Sequence, residues 1–241
     1  MPTIAVVAAK GGCGASLVAT NLALALTRHG TTLLIDYHNG NGCDDLLLDL
    51  KPSHSWVDLL PVADELTPRH LELALCRAAD DLAFLAAPSR PEDPDTLARL
   101  EALLRALAPR FTWIVIDVPS GSLRTGDSFL ERVDVLVIVA TADPPALRNA
   151  RRMLDGRSGE GRGRARLALN QVHGAHPLHP AGVATALKCP LLAALPTDAR
   201  AVGFQINFGR ACVVDSSSVF GKAVVSMARA LSRGRISRRA A

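Results

Sequence analysis

The chain has 241 residues, 49% of them apolar and 21% charged, with a formal net charge of +4. That length suits one α/β domain, and the composition excludes a disordered chain, a collagen-like repeat and a pure interaction tail. Aromatic residues make up only 4%, too few for the stacking platforms of a single-strand nucleic-acid binder.

Short apolar runs predict strands at 3–8, 32–36, 82–86, 112–117, 133–140, 166–170 and 191–195. They read as near-continuous Val, Ile, Leu and Ala, the pattern of strands buried on both faces. Helical periodicity fills the intervals at 15–29, 69–78, 95–107, 144–154, 180–187, 199–207 and 218–232. The first of these carries Val18, Leu22, Ala25 and Leu26 on one stripe and stops at Gly30. Such alternation predicts a mostly parallel sheet of about seven or eight strands with helices on both faces, a three-layer α/β sandwich in one domain over 1–235. Residues 236–241 are expected to form a short basic tail. The Gly- and Arg-rich segment 156–164 and the stretch 88–94 are predicted loops.

Residues 1–9 lack the basic start of a signal peptide. No apolar run approaches the roughly 18 residues of a membrane span. Five scattered cysteines, none in a C-x-x-C pair, fit a reducing cytosol.

One motif dominates. The first strand runs into Ala9-Lys10-Gly11-Gly12-Cys13-Gly14-Ala15-Ser16-Leu17, and a helix follows. Glycines between a strand and a helix let backbone N–H groups wrap a phosphate, and the helix N-terminus adds partial positive charge. Ser16 falls where a hydroxyl reaches a magnesium ion. A plain glycine turn is the competing reading, but strand, loop, hydroxyl and helix all fall in order. Asp117 ends an apolar strand, where a carboxylate is placed to hold Mg²⁺ through water. An Asp that merely caps the following loop is the alternative for Asp117.

The glycine loop resembles the deviant Walker A box, K-G-G-x-G-K-[ST], of the ParA/MinD family of positioning ATPases. Lys10 matches that family's signature lysine, which reaches across a dimer to the partner's nucleotide. The second lysine of the box, the one beside the phosphates, is Ala15 here. The form K-G-G-x-G-A-S resembles a narrower branch, the CpaE/TadZ proteins of tight-adherence (Flp/Tad) pilus systems. Leu48-Asp49-Leu50-Lys51-Pro52 with Ser55 to Leu60, and Phe84 to Pro88 with Arg90 to Asp93, are similar to segments of that branch. Phe111 to Pro119 is similar to the Walker B strand of the wider family, and Leu195-Pro196-Thr197-Asp198 and Asn207-Phe208-Gly209-Arg210 resemble its C-terminal signature.

The resemblance implies ATP or ADP with Mg²⁺, a nucleotide-dependent homodimer, and pilus-assembly proteins as partners at the cell pole or the inner face of the membrane. It places Asn170, Pro196 and Asp198 at the adenine, although Asn at a strand end is also a good turn residue. It gives the family's D-x-D pattern at Asp36-Tyr37-His38, which places Asp36 near the metal, directly or through water, beside Ser16 and Asp117, and His38 at the water-positioning site.

Ala15 and His38 depart from the family at two chemical positions. Losing one charge-assisted contact costs roughly 1.5–3 kcal/mol of binding, about tenfold to a few hundredfold in affinity. Losing a positioned transition-state donor costs on the order of 10²–10³ in rate. The expectation is therefore bound nucleotide with weak or absent hydrolysis. The alternative is an active ParA/MinD-type ATPase for DNA partition or division-site placement.

Weaker signals remain. His173, His176 and His179 lie in a Gly- and Pro-rich loop, which presents no regular metal-binding face. Arg148, Arg151, Arg152, Arg157, Arg162, Arg164 and Arg166 form a basic cluster, either a solvated surface or a contact for DNA or anionic membrane. The stripe Val224, Val225, Ala228 and Leu231 predicts a packed terminal helix rather than a membrane anchor.

Overall fold

The computed structural model describes residues 2–93, 99–121, 130, 132–157, 159–173 and 178–239. Its strands are β1 (Thr3–Ala8), β2 (Thr32–Asp36), β3 (Cys76–Ala79), β4 (Leu82–Leu85), β5 (Trp113–Val118), β6 (Val135–Thr141), β7 (Ala165–Val172) and β8 (Leu191–Pro196). They form one sheet in the order β3-β4-β2-β5-β1-β6-β7-β8. Every pairing is parallel except β3 with β4. Each residue of β2 and β5 is buried, so both faces of the sheet are covered, as continuous apolar strands require.

The helices are α1 (Ala15–Leu26), α2 (Asp44–Leu47), α3 (Pro68–Ala74), α4 (Leu100–Leu107), α5 (Pro144–Asp155), α6 (Gly159–Gly163), α7 (Pro180–Leu187), α8 (Ala199–Phe208) and α9 (Val219–Arg239). Helix α1 packs on β1, β2 and β5 and against α9, which also lies on β8. The chain winds one way from β1 to β2 and returns past it to β6, so the winding direction reverses at β1. A crevice beyond the carboxyl ends of the strands is expected at such a point.

The predicted strands stand within two residues of the observed ends. Four differences have physical causes. The helix predicted over 69–78 ends at Ala74, and Cys76–Ala79 forms the antiparallel edge strand β3 instead. That strand is short and only half buried, so it carries neither alternation nor an apolar run. The first helix ends at Leu26, and Thr27–His29 continues as a tighter 3₁₀ turn. The predicted loop 156–164 contains α6, and Arg157 within it is buried. The terminal helix continues past Ser232 to Arg239, into the expected tail. The first residues of the helix predicted over 95–107 lie outside the described residues. No helix among the described residues is long and apolar enough to cross a membrane.

Candidate functional site

The glycine loop leaves the end of β1 tied to its neighbour, because Ala9 N–H donates to Val139 O at 2.8 Å. Gly14 takes the left-handed conformation (φ 84°) that starts α1. Asn170 Nδ2 donates to Cys13 O at 2.9 Å, and a Cβ on Gly14 would stand 2.7 Å from that nitrogen. Asn170 is thus a brace under the loop in this structure, whereas the resemblance gives it to the adenine. A Cβ at Gly11 or Gly12 would meet nothing within 4 Å, so the outer side of the loop is open. No side chain caps α1, which leaves its first-turn N–H groups, at Ala15, Ser16 and Leu17, without intrahelical partners. Open space over such groups fits an anion.

Ala15 is buried at the position of the missing lysine. Lys10 Nζ pairs with Asp143 Oδ2 at 3.4 Å. Asp143 also accepts from the Thr141 hydroxyl and caps α5 through Ala146 N–H at 3.1 Å. The Thr141 bond, helped by the Ala146 amide and Lys10, holds its carboxyl below the usual range although burial works to raise it. The sequence reading did not foresee this partner for Lys10. Cys13 is fully buried, with its thiol 3.7 Å from the Thr141 hydroxyl.

Beside the loop lies a buried carboxylate cluster. Asp36 and Asp117 are register partners on adjacent parallel strands, so their side chains end at one level. Asp36 is tightly held. Its Oδ1 accepts from His38 N–H at 3.1 Å, and its Oδ2 accepts from Cys43 N–H at 3.0 Å and Asp44 N–H at 3.2 Å. His38 Nδ1 lies 2.8 Å from Asp36 Oδ1 and 3.5 Å from Asp117 Oδ2. Burial works to lower the His38 pKa, but the Asp36 hydrogen bond and the two carboxylate charges outweigh it and raise it.

Asp117 is fully buried, and neither of its oxygens accepts a hydrogen bond of ordinary geometry. Burial pushes its pKa up to about 6, although His38 and the neighbouring Ser16 hydroxyl pull it down. Asp44 was not singled out in the sequence. It too is fully buried with both oxygens unpaired. Burial, then the charges of Asp117 and Asp36, hold its carboxyl well above the usual range. An orphaned carboxylate beside a serine hydroxyl and an open anion cradle fits a magnesium ion carried by a phosphate.

Pro196 ends β8, and the next residue but one, Asp198, caps α8. Asp198 accepts from Ala201 N–H at 3.1 Å and from the Ser218 hydroxyl at 2.7 Å. Behind α1, the fully buried Gln205 bonds Asn21 Nδ2 at 2.6 Å, Thr20 Oγ1 at 3.2 Å, Leu47 O at 3.3 Å and Cys212 N–H at 3.1 Å. This ties α1, α2 and α8 together. A groove of about 1010 Å³, lined by Asp36, Gly42, Asp49, Phe84, Arg90 and Phe208 among others, includes no residue of the glycine loop.

The other motifs are not gathered here. His179 Nδ1 caps α7 by accepting from Ala181 N–H, and His176 lies outside the described residues. The arginine cluster is divided. Arg157 points inward to Leu130 O, Arg162 pairs with Asp155, and Arg166 bonds Gly163 O and Ala165 O. Arg148 and Arg152 are exposed. The described part of the segment is therefore folded, with a short helix over Gly159–Gly163, rather than a loose basic loop.

The sheet order, the glycine loop and the strand-end carboxylates define a P-loop protein of the ParA/MinD type. A family model for the cellulose biosynthesis protein BcsQ matches residues 1–158, and the chain belongs to that family. It is 28% identical to the septum site-determining protein MinD of Synechocystis over 95% of this chain and 88% of that protein. A ParA family ATPase from Chlorobium tepidum superposes with a TM-score of 0.84 at 22% identity, covering 95% of this chain and 98% of that one. MinD from Pyrococcus horikoshii, solved with Mg-ADP, gives 0.75 at 21% identity, covering 95% of each chain.

Proposed function

We propose that this protein binds ATP with Mg²⁺, dimerises through the Lys10 face, and positions an assembly in the cytoplasm while hydrolysing ATP weakly or not at all. The observation that carries this reading is an open, uncapped glycine cradle beside Asp117, with Ala15 buried where a lysine would face the phosphates. Backbone N–H groups, Ser16 and Asp117 remain to hold a magnesium-bound phosphate. The charge that would stabilise a transition state is missing from position 15, and His38 cannot orient water as a carboxylate does. The Mg-ADP complex of P. horikoshii MinD supports nucleotide as the ligand class.

The finer assignment, to the CpaE/TadZ branch, the tight-adherence pilus and the cell pole, rests on the sequence resemblance around Lys10 and Ala15. Contact with DNA or anionic membrane would fall to Arg148 and Arg152, the exposed part of the basic cluster.

Calorimetry with Mg-ATP, alongside light scattering on the same samples, tests the reading. Binding with a shift from monomer to dimer is expected, and turnover should rise when A15K and H38D are combined. No binding at millimolar ATP overturns it. Fast turnover in the unmodified chain would instead favour an active ATPase of partition or division-site placement, as the name of the Synechocystis relative describes.

A further inference from the structure

We propose that His38 Nδ1, with the carboxylates of Asp36 and Asp117, forms a site for a first-row transition-metal dication such as Zn²⁺, taken up without nucleotide. The three ligand atoms lie within 4.8 Å of one another. A metal with bonds of about 2.0–2.1 Å in tetrahedral geometry separates its ligands by about 3.3 Å. The His38 contacts, 2.8 Å to Asp36 and 3.5 Å to Asp117, straddle that value, so small side-chain adjustments suffice.

A second, independent observation points to a cation. Asp117 is completely buried, and both its oxygens lack hydrogen-bond partners. With His38 Nδ1 at 3.5 Å from Oδ2 and no hydrogen bond of ordinary geometry on either oxygen, a metal can take up lone pairs there. Asp36 is fixed by three backbone N–H groups, the outer support that orients metal-binding carboxylates elsewhere. Charge leads to the same place. Asp36, Asp44 and Asp117 are each at most 1% exposed, and buried carboxylates are costly unless paired or metal-bound. Lys10 is engaged by Asp143, and position 15 holds Ala. Among the described residues, His38 is the basic side chain in ion-pair contact with the cluster, and its side chain is 18% exposed, which gives a path from solvent.

The donor set decides the kind of ion. Mg²⁺ prefers oxygen ligands and retains its waters, whereas imidazole nitrogen suits zinc, cobalt, nickel and iron. His38 thus replaces a family carboxylate with a donor that changes metal preference as well as water positioning. This inference shares the cleft of the proposed nucleotide site but not its premise. The test omits nucleotide, so failure of ATP binding leaves it standing.

The metal-stripped full chain is titrated with Zn²⁺ against a chromophoric chelator in excess Mg²⁺, and separately with Co²⁺ to read its visible ligand-field bands. One Zn²⁺ per chain is expected, with Co²⁺ bands that Zn²⁺ displaces. H38A and H38Q should each lower Zn²⁺ affinity by at least about 100-fold, the upper end of what loss of outer support alone costs. H38D should bring Mg²⁺ into effective competition. C43S should titrate like the unmodified chain, and circular dichroism checks that each variant is folded. Zinc binding that survives H38A and H38Q, or that disappears in C43S while the histidine variants keep it, overturns the proposal. So does a stoichiometry well below one per chain.

Discussion

Two buried polar clusters both draw on α1 and α2, and they are built on opposite rules. Around Gln205 every polar atom is used. Its amide donates to Thr20 Oγ1 and Leu47 O and accepts from Asn21 Nδ2 and Cys212 N–H, while Asn21 Oδ1 accepts from Val213 N–H. Around Asp117 the reverse holds, for Asp117 and Asp44 are as deeply buried as Gln205 yet none of their four carboxylate oxygens accepts a hydrogen bond of ordinary geometry, with His38 Nδ1 standing 3.5 Å from Asp117 Oδ2. A satisfied buried network fixes one arrangement of the elements it joins. An unsatisfied one stores the capacity to bind something. The contrast separates scaffold from site without reference to any motif.

The sharpest way to break the comparison is to place the same apolar residue in each cluster. Gln205→Leu should strand the Cys212 N–H, Leu47 O and Asn21 groups and cost about 3–5 kcal/mol, since each orphaned buried group costs about 1–3 kcal/mol. Urea unfolding would read this as a lower midpoint at unchanged slope. Asp44→Leu removes two unpaired oxygens and should stabilise the metal-free protein by about 1–3 kcal/mol. Destabilisation by Asp44→Leu would mean that its carboxyl is partnered after all, and the distinction between the clusters would fall.

These clusters also mark how far the sequence could be read. The central strands were legible because burial on both faces leaves an unbroken apolar run, and Asp36 and Asp117 were legible as polar ends to such runs. The edge strand Cys76–Ala79 was not, because a half-buried four-residue pairing has no pattern of its own. The Gln205 network joins residues up to 192 positions apart, a separation that no local spacing encodes. Asp44 sits among polar and apolar residues on a four-residue helix, and only the approach of Asp36 and Asp117 makes its burial notable. Arg157 reads as part of a basic, Gly-rich loop. Its turn inward depends on Leu130 O, which is 27 residues away.

A smaller effect is expected at the wall of the carboxylate cluster. A Cβ at Gly42 would lie 2.4 Å from Asp36 Oδ2 and 2.5 Å from the Ala87 Cβ. Gly42→Ala must therefore push on the carboxylate that Cys43 and Asp44 N–H groups hold. The overpacking should cost about 1–2 kcal/mol and weaken divalent-cation binding, both measurable by thermal melting with and without metal. Equal melting shifts in both conditions would mean that Asp36 is not displaced.

The smallest expected effect lies at Asp198 and depends on pH. Burial alone would raise its pKa, but the Ser218 hydroxyl and the backbone N–H groups of Ala201 and Phe220 hold it below the usual carboxylate range. A depressed carboxylate contributes stability above its unfolded pKa of about 3.9 and loses it as pH falls through the folded value. Asp198→Asn keeps a capping oxygen and gives up the charge, so it should cost roughly 1 kcal/mol or less at neutral pH. The gap in melting temperature between the two proteins should be flat above about pH 5 and close as the carboxylate protonates below about pH 4. A gap that persists at pH 2 would mean that the amide disturbs the cap itself, and that Asp198, like Gln205, serves by shape and hydrogen bonding rather than by charge.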